Sequence, residues 1–460
     1  MNWSLIFMTL VAAALVLRLF FGGDKCNMSV RGLTKIFHRS SAKNDLKIST
    51  KANVSGIVFG KKAGLYVTSP PEAEGHTLVL GGSGVGKTTA LLIPTLNAWG
   101  NSNSSFVIDI SDDIAKNVNM TNKLIFDPDN INTLPYDIFA PIDTITDKGD
   151  KIEALQKMGT FLRPLTYSDI KSGGGKFYAE GAQNILGAVL IAGYFYDKDF
   201  CTICKWLCSS TDKQIISDIK NIGEETAITL INPYSNESDN NAVGCFNEAR
   251  KAVKLFATNH HIMNSVRRSA HGEKAFSPDQ IEKYNCFIII RQERLELYKP
   301  LTQIIVAQTL DYFMSRPLNY KKQLLFALDE LRSLGKLELS EALRTYRKRG
   351  IRIFCLTQSL ADIDIVYGEE ERVSMINNFS YKVILRADDP ANQKYFADLI
   401  GKDKNRFDGF MREEYNIKPE RLRLLHNKLI LIHPDGYMKL KKNFYYKSSR
   451  LSFNPFDRLI

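Results

Sequence analysis

Eight residues, Gly81-Gly82-Ser83-Gly84-Val85-Gly86-Lys87-Thr88, fit the pattern G-x-x-x-x-G-K-[ST]. A stretch this poor in side chains lets backbone N–H groups converge on phosphate oxygens, and the helix that follows adds positive potential at its N-terminus. The pattern comes directly after the apolar run TLVLG and opens TTALLIPTL, the strand-then-helix context that separates a phosphate-binding loop from a glycine-rich turn. In that reading Lys87 reaches the β- and γ-phosphates and the Thr88 hydroxyl meets Mg²⁺. Gly81 through Thr88, with Thr89 behind them, form the cradle. The ligands implied are ATP and Mg²⁺.

Such a loop needs an acid for the metal and a base for water. The best match is LLFALDE, five apolar residues ending in Asp329-Glu330, because a buried strand delivers groups at its C-terminal tip beside the phosphates. Asp329 would hold Mg²⁺ and Glu330 would orient and deprotonate water. Asp109, at the end of FVIDI, competes for the metal role but lacks an adjacent glutamate, and a capping acid after a strand describes it better. Gln358 ends the strand-like RIFCLTQ, where an amide could sense the γ-phosphate or position water. Arg344, Arg347 and Arg349 could supply a finger to a neighbouring subunit's nucleotide; cations closing a helix also complement its dipole.

These residues require a sheet to hold them. Apolar runs of strand length (TLVLG, FVIDI, KLIFD, FIIIR, LLFALDE, RIFCLTQ, YKVILR, KLILIH) alternate with helical patterns, which predicts an α/β fold with a mostly parallel sheet covered on both faces. Between residues 153 and 272 the strand pattern stops. KIEALQKMGTFLRPL, KFYAEGAQNILGAVLIAGYFY and NEARKAVKLFATNHHIMNSVRRSA carry helical periodicity, so an all-α insertion divides the sheet domain into residues 24–152 and 273–460. Residues 1–23 contain an apolar run, Leu5 to Phe21, interrupted by Thr9 and Arg18. It is just long enough to span a bilayer and lacks a basic leader or small-residue cleavage site, so a retained transmembrane anchor is expected. Lys25, Arg31, Lys35 and Arg39 follow it and place the bulk of the protein in the cytoplasm by the positive-inside rule. A buried N-terminal helix is the competing reading.

The 460 residues allow two or three domains, and 44% hydrophobic with 24% charged residues excludes a disordered chain. Sixty-one Lys and Arg against 50 Asp and Glu, a net charge of +11, tilt the chain toward polyanionic partners. Basic runs such as RTYRKR and KLKKNFYYK read equally well as solvated faces or phosphate contacts. Seven scattered cysteines argue for a reducing compartment rather than a disulfide framework. Cys201, Cys204 and Cys208 share the spacing of one helical face, which favours a buried face over a zinc site.

Three longer stretches carry a family resemblance. GGSGVGKTTALLIPTLNAW with FVIDI, then LDELRSLGKLELSEALRTYRKRGIRIFCLTQSLADIDIVYG, then MINNFSYKVILRADDPANQKYFADLIG, are similar in order and spacing to type IV secretion coupling proteins, the TraG-like conjugation ATPases. The resemblance covers about residues 54 to 440. It implies a RecA-like P-loop motor domain with an inserted all-α domain, an N-terminal anchor in the cell inner membrane, and a homo-oligomer, a hexameric ring with nucleotide between subunits. It also implies DNA bound by a relaxase, or protein effectors, as cargo, and the type IV secretion channel as partner. Lys87 and Thr88 match the phosphate and metal positions, Asp329 and Glu330 the second acidic motif, Gln358 the glutamine after the next strand. Arg347, first in Arg-x-x-Gly, matches the finger. The chain departs from the pattern at Asp109-Ile110-Ser111-Asp112-Asp113, where Asp-x-Lys-Gly-Glu is usual, and at Leu134-Pro135-Tyr136 in place of Asn-Pro-Leu. One transmembrane candidate stands where a pair is common, and no long C-terminal recruiting tail is expected.

The function expected is an ATP-hydrolysing translocase feeding DNA or protein to a secretion channel. A nucleotide-binding receptor for protein effectors and a genome-packaging or segregation motor are the alternatives. Glu330 beside Asp329 favours hydrolysis, since a receptor has no need of a water-activating base; the inserted helices and the anchor count against packaging.

Overall fold

The computed structural model describes residues 46–447, except residues 51–55, 71–73, 100–102, 237–238, 270–272, 274 and 408–409. The expected anchor, residues 1–23, lies outside the described residues. No helix among those described is long and apolar enough to cross a membrane.

The sheet is built from runs that leave a strand no solvated face. His76–Leu80 (β4), Ser104–Asp109 (β5), Asn285–Ile289 (β7), Leu324–Leu328 (β8) and Ile351–Thr357 (β9) are buried at every residue, as strands covered on both faces must be. With Lys123–Phe126 (β6) and Phe379–Ile384 (β10) they form a parallel array in the order β10-β4-β9-β8-β5-β7-β6. Alternation then sorts side chains between two layers. Leu324, Phe326 and Leu328 of β8 face one layer, with Leu301, Ile305, Leu343 and Ile363 from the helices on that side. Leu325 and Ala327 face the other, packed with Leu92, Leu96, Trp99 and Ile114.

The rest of the sheet is antiparallel. Lys428–His433 (β13) pairs with β10, Gly436–Lys441 (β14) with β13, and Val58–Lys62 (β2), Leu65–Thr68 (β3) and Lys47–Ser49 (β1) extend the edge. Tight turns make this flank possible: Gly64 lies in the turn between β2 and β3, and Gly436 opens β14 directly after the turn at Pro434-Asp435, both at positive φ. Because β14 reverses β13, and β13 reverses β10, β14 ends on the same side of the sheet as β4. Lys402–Phe407 (β11) and Phe410–Tyr415 (β12) form a separate hairpin.

Between β6 and β7 the described residues form no strand. Eight α-helices fill this stretch from Lys148 to Ser265, the longest being Lys148–Leu162, Gly175–Phe195 and Asn240–Thr258. Their starts are capped as the sequence dictates: Asp147, Asp199 and Thr211 accept from the backbone N–H groups of Asp150, Thr202 and Gln214. Gly181 lets the two longest helices meet, since a Cβ there would fall 2.3 Å from the Cys245 sulfur. Cys201 and Cys204 are buried in the helix Phe200–Ser209, and partly buried Cys208 donates to the Arg250 carbonyl at 3.8 Å. They line one helix face.

Candidate active site at the strand tips

Five adjacent parallel strands bring their C-terminal ends to one edge. Gly81 N–H donates to the Thr357 carbonyl of β9 at 3.1 Å, and Leu385 N–H, just past β10, donates to the Leu80 carbonyl at 2.9 Å. The glycine loop is thus held between two neighbours. Arg386 stands beyond β10, the loop beyond β4, Gln358 beyond β9, Asp329 and Glu330 beyond β8, and Asp109 ends β5. Chemistry converges here because loops leaving parallel strands gather at this edge.

Gly84 (φ +71°) and Gly86 (φ +95°) take left-handed backbone that other residues adopt at a cost. Thr88–Leu92 forms a π-helical turn that continues as the α-helix Ile93–Trp99. The Lys87 ammonium folds across the loop and donates to the Gly81 carbonyl at 2.7 Å and the Gly82 carbonyl at 3.2 Å. Burial lowers its pKa, while Glu330, Asp329 and Asp362 raise it again. Both members of the acidic pair therefore act on the loop lysine.

Asp329 is 5% exposed. Burial pushes its carboxyl up to about 7, Lys87 pulls it down, and Asp109 and Glu330 raise it further. A buried acid of this kind is at rest only with a proton or a cation beside it. Glu330 is a non-glycine residue in the left-handed region (φ +60°, ψ 72°), a conformation that structures tolerate where function requires it. Its carboxylate accepts from the Gln358 amide at 2.9 Å. Gln358 and Glu330 are thus joined by a hydrogen bond, and Glu330 acts on Lys87 through its charge.

Asp109 has another occupation. One oxygen accepts from Ser111 N–H and hydroxyl, both at 3.1 Å, and the other from Ala115 N–H at 2.9 Å. It shapes the turn after β5. An oxygen-only set of Thr88 and Asp329 fits Mg²⁺, which takes one or two carboxylates and fills its other positions with phosphate and water.

The three arginines lie elsewhere. Arg344 closes the helix Leu339–Thr345, Arg347 and Arg349 lie in the 3₁₀ turn Tyr346–Arg349 that leads into β9 at the N-terminal edge of the sheet, and Arg347 acts on the charge state of His76 at the start of β4. Arg349 is tied to the Arg316 carbonyl, while Arg344 and Arg347 are exposed. None is placed at its own chain's loop.

Two contributors escaped the sequence reading. A Cβ on Gly82 would meet the Asp388 carboxylate at 3.2 Å and the Arg386 guanidinium at 3.8 Å, and these two side chains pair at 2.8 Å. The available signal was YKVILRAD, an apolar run ending in a charge, which matches the form of LLFALDE. Lys442 is the other: its ammonium donates to the Val85 carbonyl at 2.9 Å.

The fold and site together define a class: an α/β protein whose central, mostly parallel sheet carries a phosphate-loop motif and an acidic pair on one edge. Residues 34–445 match the family model described as type IV secretory system conjugative DNA transfer, and the chain belongs to that family. It is 22% identical over 347 residues to the type IV secretion system-coupling protein VirD4 of Bartonella henselae, covering 71% of this chain and 53% of that one. It is 24% identical over 368 residues to the probable conjugal transfer protein TraG of Sinorhizobium fredii, covering 74% and 54%. The chain spans about half the length of these curated relatives. Among solved structures, the plasmid coupling protein TrwB in complex with a non-hydrolysable ATP analogue superimposes with a TM-score of 0.70 at 19% identity, covering 91% of this chain and 95% of that one. The unbound monoclinic form of TrwB gives 0.69 at 18%, covering 87% and 94%. At these identities the likeness establishes the fold.

Proposed function

We propose that this chain is a RecA-like ATPase that binds Mg²⁺ and ATP at Gly81–Thr89 and uses hydrolysis to pass DNA, with its relaxase, or a protein effector to a type IV secretion channel. The observation that carries the reading is the convergence of Glu330, Asp329 and Lys87 at one sheet edge, with Gln358 bonded to Glu330. TrwB has been solved in complex with non-hydrolysable GTP and ATP analogues and with ADP and Mg²⁺.

Lys87 would leave the Gly81 and Gly82 carbonyls for the β- and γ-phosphates, with the loop amides around them. Thr88 and Asp329 would hold Mg²⁺, which neutralises developing charge on the phosphates. Glu330, aimed by its backbone and held by Gln358, would take the proton of the attacking water. Arg347 would serve a neighbouring copy in a ring. Residues 153–272 act as a domain inserted between 24–152 and 273–460, and residues 1–23 anchor the chain in the inner membrane; separation of the purified protein into these fragments by limited proteolysis, and extraction from membranes only by detergent, test those two assignments.

The deciding experiment is an ATPase assay with and without single- and double-stranded DNA. Turnover stimulated by DNA, lost in Lys87→Ala and in Glu330→Gln while the latter still binds ATP, is expected. A Glu330→Gln protein that hydrolyses ATP at the normal rate would remove the base, and a receptor without motor activity would become the better description.

A further inference from the structure

The basic run KLKKNFYYK supplies the end of β14 and the segment after it, and nothing in the proposed hydrolysis uses that segment. It nevertheless touches the loop. Beyond Lys441 the chain leaves the sheet on the loop's own side, and buried Lys442 donates to Val85. Phe444 lies against Gly86: a Cβ there would fall 2.8 Å from Phe444 Cε1 and 3.4 Å from the Thr89 hydroxyl. Tyr445 turns inward and packs on the cluster that includes Leu91, Leu92 and Ile114, under the helix that follows the loop. Tyr446 turns outward, 55% exposed, with its ring centroid 5.5 Å from that of Phe444 at an interplanar angle of 35°. The Lys447 ammonium lies 5.1 Å from the Phe444 centroid and 5.8 Å from that of Tyr446.

Sheet order says what this pair faces. Asp329 and Glu330 reach the loop from the β9 and β8 side, so a triphosphate with its last phosphate toward them sends its nucleoside the other way, toward β10 and β14. Phe444 stands on that flank, at the residues where the loop becomes helix. We propose that Phe444 and Tyr446 form the stacking surface for the nucleobase of the bound triphosphate, with Lys442 fixing the loop to the segment that carries them. Aromatic faces accept any base, so ATP and GTP are both taken. Lys447, exposed, yields its place over the rings to the base.

The inference rests on triphosphate binding at Gly81–Thr89, and the test separates the two. Binding of ATP and of inorganic tripolyphosphate, each with Mg²⁺, is measured by calorimetry on the full-length protein in detergent, for the wild type and for Tyr446→Ala, Phe444→Leu and Phe444→Tyr. Stacking predicts an ATP affinity about tenfold lower in Tyr446→Ala and Phe444→Leu, retained in Phe444→Tyr, with tripolyphosphate affinity unchanged throughout. Equal losses for both ligands, or no loss for ATP, overturn the stacking surface and leave the triphosphate site standing. A wild-type protein that binds neither ligand removes the triphosphate site itself.

Discussion

The two ends of β4 bury polar groups in opposite ways. At its start, His76 is fully buried, its Nδ1 accepting from Ile353 N–H at 3.0 Å, and beside it the Arg352 guanidinium lies 5.1 Å over the Trp99 ring. At its end, Lys87, Asp329 and Glu330 bring opposite charges together around a loop with glycines in left-handed backbone. Burial holds His76 neutral, with its pKa lowered to about 3; burial holds Asp329 protonated up to about 7. One end is neutral at its buried histidine and is held by packing and by the bond from Ile353. The other holds a buried acid that favours a cation, which is what a binding site costs in stability.

Arg347 is where the comparison is most exposed to failure, because it places a catalytic role at the structural end. Loss of an arginine finger costs roughly 10³-fold or more in turnover, so Arg347→Ala is expected to be nearly inactive although it sits far from its own loop. In a ring, a Lys87→Ala subunit still presents a finger to its neighbour, and an Arg347→Ala subunit still presents a loop. Mixing the two inactive proteins should therefore restore part of the ATPase activity. Mixtures as inactive as their components, or an Arg347→Ala protein with normal turnover, would return this arginine to the surface of a helix end.

The opposed protonation at the two ends gives opposed pH dependence of stability. Between pH 3 and 6.5 the unfolded chain protonates His76 and the native chain does not, so this group adds stability as pH rises through that window and loses it in acid. For Asp329 the native chain holds the extra proton between about 3.8 and 7, so this group removes stability as pH rises through that window. Each effect is on the order of 4 kcal/mol, at about 1.4 kcal/mol for every pH unit of its window. Thermal melts without nucleotide from pH 4 to 8 check both. His76→Leu should lower stability at pH 7, because Ile353 N–H loses its acceptor, with a deficit that shrinks toward pH 4. Asp329→Asn should raise stability at pH 8, with a gain that shrinks below pH 7 and is nearly gone by pH 4. A melt in which both variants shift the same way at every pH would show that the two ends are not different in kind.

Much of the loop end is legible in the residues alone. Glycines before Lys-Thr, and apolar runs ending in Asp-Glu or Gln, state both a strand and the group at its tip, because full burial leaves no polar residue until the strand emerges. Hence Lys87, Asp329, Glu330 and Gln358 can be named together. The antiparallel flank is less legible: KLILIH is apolar, but β14, GYMKLK, is mostly open to water and carries lysines, β11 is polar up to its last residue, and β12 is half polar. Nor can sequence say which side of the sheet β14 ends on. That follows from two successive reversals after β10, and it is why Lys442 and Phe444, some 360 residues from the loop, look like part of a solvated basic run. The finger is readable as a motif only; that it lies at the wrong end for its own loop needs the register of β4 against β9.

Gln358 gives the smallest effect and the finest distinction within the site. Its amide is exposed and donates to Glu330, so removing it opens no cavity and strips no buried group of its partner. Its contribution is to hold a carboxylate whose backbone is already fixed in the left-handed region. Gln358→Ala should therefore lower turnover about tenfold, the equivalent of one hydrogen bond to a charged group, while ATP affinity and melting temperature stay as they were. Gln358→Glu sets a second carboxylate against the first and should be worse than alanine, most of all at high pH where both are ionised. If alanine instead weakens ATP binding and leaves turnover at saturation untouched, Gln358 is a ligand of the γ-phosphate in the ground state, and Glu330 is aimed by its backbone alone.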